Sequence, residues 1–431
     1  MVNLTFCIIF PINSDPIREN KTESQTDMEV AEVLQLYELR YSDLVLVSSN
    51  EESLSSAGEL ERAESTSKAI MEALGPAGPG LLAITGVPKS ASLRRALLPL
   101  ARKLALLNPN HRKGILKDHN LGSDVPLKNP ERNVSSFAMQ IKYSHGFDEP
   151  QLNSEHGSVN EFKNLGNGFR ELGFCMMELG LKLARVCDRA IGGNELEESL
   201  LESCSAKARL IHYHSPLDGS ILVEEAISTK RTSKRPFNSS RNWIGDKCKQ
   251  VSGICSDNLW QQWHYDYGIF TVLTAPMFLY QEYAYPNGNT YLQIFDPRKD
   301  NVFMVKASPE SFIVQVGESA NIISQGKLHA TLHSVCRPSK FENLSRETFV
   351  VFLQPAWNKT FSVTDYSMDK SLEISSEVKQ VDDPEQSRLT EELQKIVPPL
   401  ALRLKDGMTF ADFSRETTKQ YYGGSGLQSN R

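Results

Sequence analysis

No stretch of this 431-residue sequence is apolar for long enough to cross a bilayer, which takes about twenty residues. The longest clearly apolar run near the N-terminus, residues 4–11, falls far short. Met1-Val2-Asn3 before it lacks the Lys or Arg of a secretory leader, and Phe10-Pro11-Ile12-Asn13 after it lacks a small-residue cleavage point. The chain therefore reads as cytoplasmic, with the nucleus also compatible. Cysteine is sparse: seven residues, odd in number, scattered, with no CxxC pair, which excludes a disulfide scaffold and favours reduced thiols. A sustained basic face is missing as well. The net charge of −6 disfavours a duplex-binding protein, because neutralising phosphates needs a surplus of Lys and Arg. What is present, 40% hydrophobic and 23% charged residues, is the composition of a globular protein with a full core, in two or three domains or one large domain with additions.

Periodicity organises the chain. Apolar residues at helical spacing between Leu60 and Leu74 end at Gly75-Pro76-Ala77-Gly78-Pro79-Gly80, and Leu81 to Thr85 reads as a short buried strand. Ser90 is placed to N-cap a helix through Leu107 that Pro99 should kink. The clearest stripe is Leu165, Phe169, Leu172, Met176, Leu179, Leu183, Val186 and Ala190, a core-facing helix stopped by Gly192-Gly193 and weakened by Gly166, Gly168, Gly173 and Gly180. From Ala208 the pattern changes to short β-branched and aromatic runs: Leu210–Tyr213, Ile269–Leu273, Tyr291–Phe295, Val302–Lys306, Phe312–Val316 and Thr348–Leu353. Many short strands predict a sandwich or jelly roll. Residues 229–250 hold seven Lys/Arg against one Asp, a basic loop, whereas residues 365–392 hold nine carboxylates against three basic residues and read as solvated.

Three histidine arrangements are candidates for a metal. His329 and His333 share the spacing of a zinc protease helix, but Ala330 stands where the Glu is needed, and Ile322-Ile323-Ser324-Gln325-Gly326 reads as strand and turn. His212 and His214 would point the same way on a strand, without a nearby Glu, which favours a structural or pocket-lining role. His264-Tyr265-Asp266 precedes a strand-like run, and His333 follows much later from what reads as a facing strand. Two imidazoles and one carboxylate on one face suit Fe(II) and leave three positions open. In Arg346-Glu347-Thr348, Arg346 and Thr348 lead an otherwise apolar strand face. Either Arg346 faces water at the strand end, or it is buried against an anion that offsets its desolvation.

At these residues the sequence resembles the 2-oxoglutarate and Fe(II)-dependent dioxygenases of the isopenicillin-N-synthase-like branch. That family's pattern of His-x-Asp, a distal His and Arg-x-Ser reads here as His264-Tyr265-Asp266, His333 and Arg346-Glu347-Thr348, with Thr in place of Ser. Phe312 to Gly317 with Glu318 resembles its strand and Gly-Asp turn, and Gly80 to Pro88 its N-terminal strand before Gly-Val-Pro. Arg209-Leu210-Ile211-His212-Tyr213-His214 is similar to its Arg-Leu-Asn-Tyr-Tyr-Pro strand, with Ile211 replacing Asn. The intervals between Tyr213 and His264 and between His333 and Arg346 are longer than the family's.

The resemblance implies an α+β fold with a double-stranded β-helix (jelly-roll) core and flanking helices. It implies Fe(II) on His264, Asp266 and His333, with 2-oxoglutarate as cosubstrate on Arg346, Thr348 and Tyr213. O2 would be the oxidant, ascorbate a support for the iron, and a small organic molecule the substrate, oxidised as succinate and CO2 are released. The alternatives are a catalytically silent binding protein of the same fold and an iron oxidase that uses no 2-oxoglutarate. The expected division is a flexible tail over 1–40, a mainly helical region over 41–204, a catalytic core over 205–360 with a basic insertion at about 217–258, and an acidic linker with a peripheral segment over 361–431. The basic loop invites an acidic ligand; no membrane partner is expected, and oligomeric state is open.

Overall fold

The computed structural model describes residues 32–49, 56–142, 161–231, 258–285, 288–338, 343–362 and 386–422. Among the described residues, fourteen strands form two sheets. The smaller holds β1 (Glu32–Gln35), β6 (Leu259–His264), β10 (Leu292–Asp296), β11 (Asn301–Lys306) and β13 (His333–Cys336), ordered β1-β11-β10-β13-β6. The larger holds β2 (Glu38–Arg40), β3 (Leu81–Thr85), β4 (Val134–Lys142), β5 (Ser205–Tyr213), β7 (Phe270–Thr274), β12 (Phe312–Val316) and β14 (Leu344–Leu353), ordered β2-β3-β12-β7-β14-β5-β4, with β8 (Met277–Tyr280) and β9 (Tyr283–Tyr285) branching from β14. The mixture of two strand-rich sheets with packed helices is the α+β jelly roll that the short β-branched runs predict.

Residues 32–40 depart from the expected tail: β1 pairs in parallel with β11 and β2 with β3. Such pairing is non-local: Val33, Leu34, Leu36 and Leu39 are apolar enough to begin the folded protein, but their sequence does not announce which strands they join. The helices gather on the outer face of the larger sheet: α1 (Tyr41–Ser48), α2 (Ala57–Leu74), α3 (Ser90–Leu97), α4 (Pro99–Leu106), α5 (Pro109–Asp118), α6 (Leu165–Ile191) and α7 (Glu195–Ser203). Pro99 divides the expected single helix into α3 and α4, and Ser90 donates to Val87 O instead of capping. The stripe on α6 is buried as its spacing demands, and Gly192 in the left-handed region ends the helix. Its glycines are contacts, not weaknesses. A Cβ on Gly173 would sit 2.0 Å from Ile141 Cδ1, and one on Gly180 2.0 Å from Leu353 Cδ1, so their absence lets the helix approach the sheet. Phe169 meets Phe349 of β14 edge-on at 4.8 Å.

Between the sheets lies a second apolar layer, with Ile211, Leu273, Leu292, Ile294, Val335 and Val350, surrounding a cavity of about 300 Å³. α8 (Pro216–Arg231) occupies the first part of the stretch expected as an insertion; residues 232–257, with most of the basic loop, lie outside the described residues. The acidic stretch 363–385 does as well. The expected peripheral segment beyond it is integral instead. In the helix Phe410–Tyr422, Phe410, Phe413 and Thr417 share one buried face, and Thr417 and Thr418 line the cavity. Arg403, fully buried, donates to Glu318 Oε2 at 2.8 Å and to Thr417 Oγ1 at 2.9 Å. Cys175, Cys187, Cys204 and Cys336 are free thiols.

Candidate metal centre

His264 closes β6 and His333 opens β13, and the two are register partners on adjacent antiparallel strands. The sequence suggests a facing strand; the structure places His333 beside His264 in the same sheet, because β13 lies between β10 and β6. The ring centroids are 4.2 Å apart. Asp266, two residues past the strand end, reaches both: Oδ1 is 3.9 Å from His264 Nε2, and Oδ2 is 3.8 Å from His333 Nε2. Backbone bonds brace this loop. Glu318 N donates to Asp266 O at 2.8 Å, Ser319 N to Gly268 O at 3.0 Å and Gly317 N to Ile269 O at 2.9 Å. Gly317 is required there, since a Cβ would lie 2.3 Å from Gly268 O. Residues 318–323, which the sequence suggests end in strand and turn, form the short helix α9 (Glu318–Ile323), whose first residue joins the Arg403 ion pair.

The donor set fits a divalent metal. His264 Nδ1 donates to Gln262 O at 2.8 Å and His333 Nδ1 to Thr331 O at 3.0 Å, which leaves the Nε2 lone pairs on the Asp266 side. Burial, followed by the charge of His333, lowers the pKa of His264 and keeps its imidazole neutral. Thr271 Oγ1 donates to Asp266 Oδ2 at 2.6 Å and fixes the carboxylate. The ligand atoms lie within 4.8 Å of one another, and bonds of about 2.0–2.2 Å bring neighbouring ligand atoms to about 3–4 Å. Gln261, which the sequence does not single out, links this group to the next: its amide contacts His264 Nε2 at 2.9 Å and accepts from Tyr213 OH at 2.8 Å.

Arg346, Thr348 and Tyr213 line the same cavity. Arg346 is the cross-strand partner of Tyr213, its guanidinium 5.1 Å above the tyrosine ring, and is 1% exposed. Its Nε donates to Thr290 O at 3.0 Å, and no described carboxylate lies within ion-pair distance of it. Thr348 Oγ1 bonds Thr274 O at 3.2 Å. The water-facing alternative for Arg346 is thereby excluded. Arg209, Lys207, Asp124 and Gln315 also line the cavity. Period-two extension from Tyr213 along β5 would have marked Arg209 and Lys207.

The other histidine groups behave differently. His329 is half-buried, lies outside any helix and is not among the cavity residues. His212 and His214 do share a face, with rings 4.3 Å apart, but it is the face of β5 turned away from the cavity. His214, His212 and Asp218 offer ligand atoms within 4.8 Å of one another. Asp218 and one side of His212 are engaged: His212 Nδ1 lies 2.9 Å from both Glu347 oxygens, Asp218 Oδ1 meets Arg102 at 2.7 Å, and Asp218 Oδ2 accepts from Ser215 Oγ at 2.8 Å, whereas His212 Nε2 and His214 Nδ1 have no hydrogen-bond partner among the described residues.

A sequence profile described as the 2OG-Fe(II) oxygenase superfamily matches residues 248–355, which include His264, Asp266, His333, Arg346 and Thr348. No curated protein matches the sequence. Among solved structures, a full-length Neurospora crassa protein in complex with alpha-KG and 5-formyluracil is similar at a TM-score of 0.50 and 12% identity, over 93% of this chain and 99% of that one. The complex of the same protein with alpha-KG gives 0.50 and 14% identity, over 85% and 98%. At these identities the likeness is one of fold. No helix among the described residues is long and apolar enough to cross a membrane.

Proposed function

From the premise that the chain carries a 2OG-Fe(II) oxygenase domain and is a dioxygenase using Fe(II), 2-oxoglutarate and O2, we propose that His264, Asp266 and His333 hold the iron. Arg346, Thr348 and Tyr213 then receive the distal carboxylate of 2-oxoglutarate, and a small organic molecule is the substrate. The observation that carries this reading is Arg346: a guanidinium 1% exposed, without a carboxylate partner among the described residues, in the same cavity as the triad. A buried cation of that kind is costly unless a ligand supplies the anion.

Bound there, Fe(II) supplies the activation of O2 that couples decarboxylation of 2-oxoglutarate to oxidation of the substrate. The chain's own groups do the rest. Thr271 and the backbone carbonyls of Gln262 and Thr331 set the three ligands before metal arrives. Tyr213 OH, now donating to Gln261, is placed to donate to a carboxylate on Arg346. Ile211, Leu273, Leu292, Val335 and Val350 exclude water around it.

Succinate release from 2-oxoglutarate with Fe(II) and ascorbate tests the reading. The wild type forms succinate, and Asp266→Ala loses iron affinity by more than about 100-fold, beyond what second-layer changes cost. A wild type that binds iron and yet forms no succinate overturns it.

A further inference from the structure

The cavity-facing side of β5 continues past Tyr213 and Ile211 to Arg209 and Lys207, cations that the iron and 2-oxoglutarate roles do not use. Arg209 is built in place. Its guanidinium carbon stands 4.7 Å over the Phe352 ring, and its Nε lies 2.6 Å from Asp124 Oδ2 without hydrogen-bond alignment. No described residue accepts a hydrogen bond from its two terminal nitrogens. Lys207 Nζ shares the same carboxylate oxygen at 3.0 Å, so two cations meet one anion. Burial works against the Asp124 charge, yet Arg209 and Lys207 together hold its carboxyl below the ordinary value. A second donor points to a ligand independently. Gln315 on β12 is 2% exposed, lines this cavity, and its Nε2 is buried with no hydrogen-bond partner among the described residues. An unsatisfied buried amide costs about 1–3 kcal/mol unless something pairs with it.

Charge balance gives the sign of that ligand. Lys207, Arg209 and Arg346 stand against Asp124 and Asp266 in the cavity lining. A divalent metal raises the surplus by two, and doubly charged 2-oxoglutarate removes two, so one positive charge is left over. We infer that the substrate is an organic monocarboxylate whose charged group seats on the free fork of Arg209, with Gln315 as the neighbouring polar contact and Lys207 neutralised by Asp124. Arg suits this because its planar fork pairs with a carboxylate through two parallel bonds, and the Phe352 ring and Asp124 have already limited its motion. The seat lies along β5 from Tyr213, so the body of the acid would extend toward the triad over Ile211 and Leu273.

This inference rests on the proposed function, and its test separates the two. Phenylacetate, 3-phenylpropionate and octanoate, each beside its neutral primary amide, are titrated anaerobically into the protein loaded with Fe(II) and 2-oxoglutarate, so that binding is read without turnover. At least one acid binds tenfold or more tighter than its amide, about the strength of one charge-assisted pair. Arg209→Gln abolishes that preference while amide affinity stays as in the wild type, and Arg209→Lys restores part of it. Acids that bind no better than amides to the wild type overturn the inference without any variant, as does a preference that survives Arg209→Gln. Failure of the underlying reading looks different: the wild type binds no 2-oxoglutarate and forms no succinate, whatever the acids do.

Discussion

The two faces of the β5–β14 pair carry the same kinds of side chain in opposite states. On the outer face, Glu347 and His212 are cross-strand partners at 2.9 Å, Arg102 answers Asp218 at 2.7 Å, and Ser345 Oγ donates to Glu347 at 2.7 Å, all fully or nearly buried. On the inner face, Arg346, one residue from Glu347, has no described carboxylate within ion-pair distance, and Arg209, three residues from His212, meets Asp124 only through its Nε and has an unused fork. Charges that find their partners within the chain hold strands in register. Charges that do not are the ones a ligand must complete. Strand alternation assigns each residue to a face, and the outer pair fixes the register on which the inner pair depends.

Removing one partner from the closed face should give the largest effect. Glu347→Ala leaves His212 and Asp218 unbalanced in the core, and equilibrium urea unfolding should show a loss of about 3–5 kcal/mol. A loss below about 1 kcal/mol would break the comparison. Replacing both His212 and Glu347 by Leu sharpens it: the double variant should regain most of that stability, because an apolar pair of similar volume carries no unpaired charge. Next is the packing that presses the outer face against α6. Gly180→Ala would bring its Cβ to 2.0 Å from Leu353 Cδ1, an overpacking cost of about 1–3 kcal/mol in the same unfolding measurement. The smallest change belongs to the open face. Thr348→Val removes one hydroxyl bonded to Thr274 O and should cost about 0.5–1.5 kcal/mol in 2-oxoglutarate binding or in stability, read by calorimetric titration and urea unfolding on the same variant.

Much of this is legible in the sequence because it is local. Short apolar, β-branched runs bounded by turn residues mark the limits of β12 and β3, the four-and-three stripe marks α6, and His-x-Asp at a strand end places two side chains on one side. The parts that are not legible are non-local. Nothing in residues 32–40 announces that β1 will pair with β11, and nothing near His333 tells an adjacent strand from a facing one. Ser90 has the chemistry of a cap, but Lys89 adopts the left-handed region and Ser90 turns to Val87 O. The C-terminal helix does carry a signal of its own: Phe410, Phe413 and Thr417 repeat at three and four, the spacing of a buried face. Arg209 and Gln315 matter through what they lack, and a missing partner cannot be read before the fold is known.

The central claim is that the unpaired guanidinium of Arg346 is completed by 2-oxoglutarate. Anaerobic titration of 2-oxoglutarate into the Fe(II)-loaded wild type and Arg346→Leu measures it directly. The account predicts a loss of about 1.5–3 kcal/mol, one to two decades in affinity, with iron affinity within about twofold and urea stability not reduced, since a buried unpaired charge has been removed. Equal affinity for 2-oxoglutarate in the two proteins would contradict it.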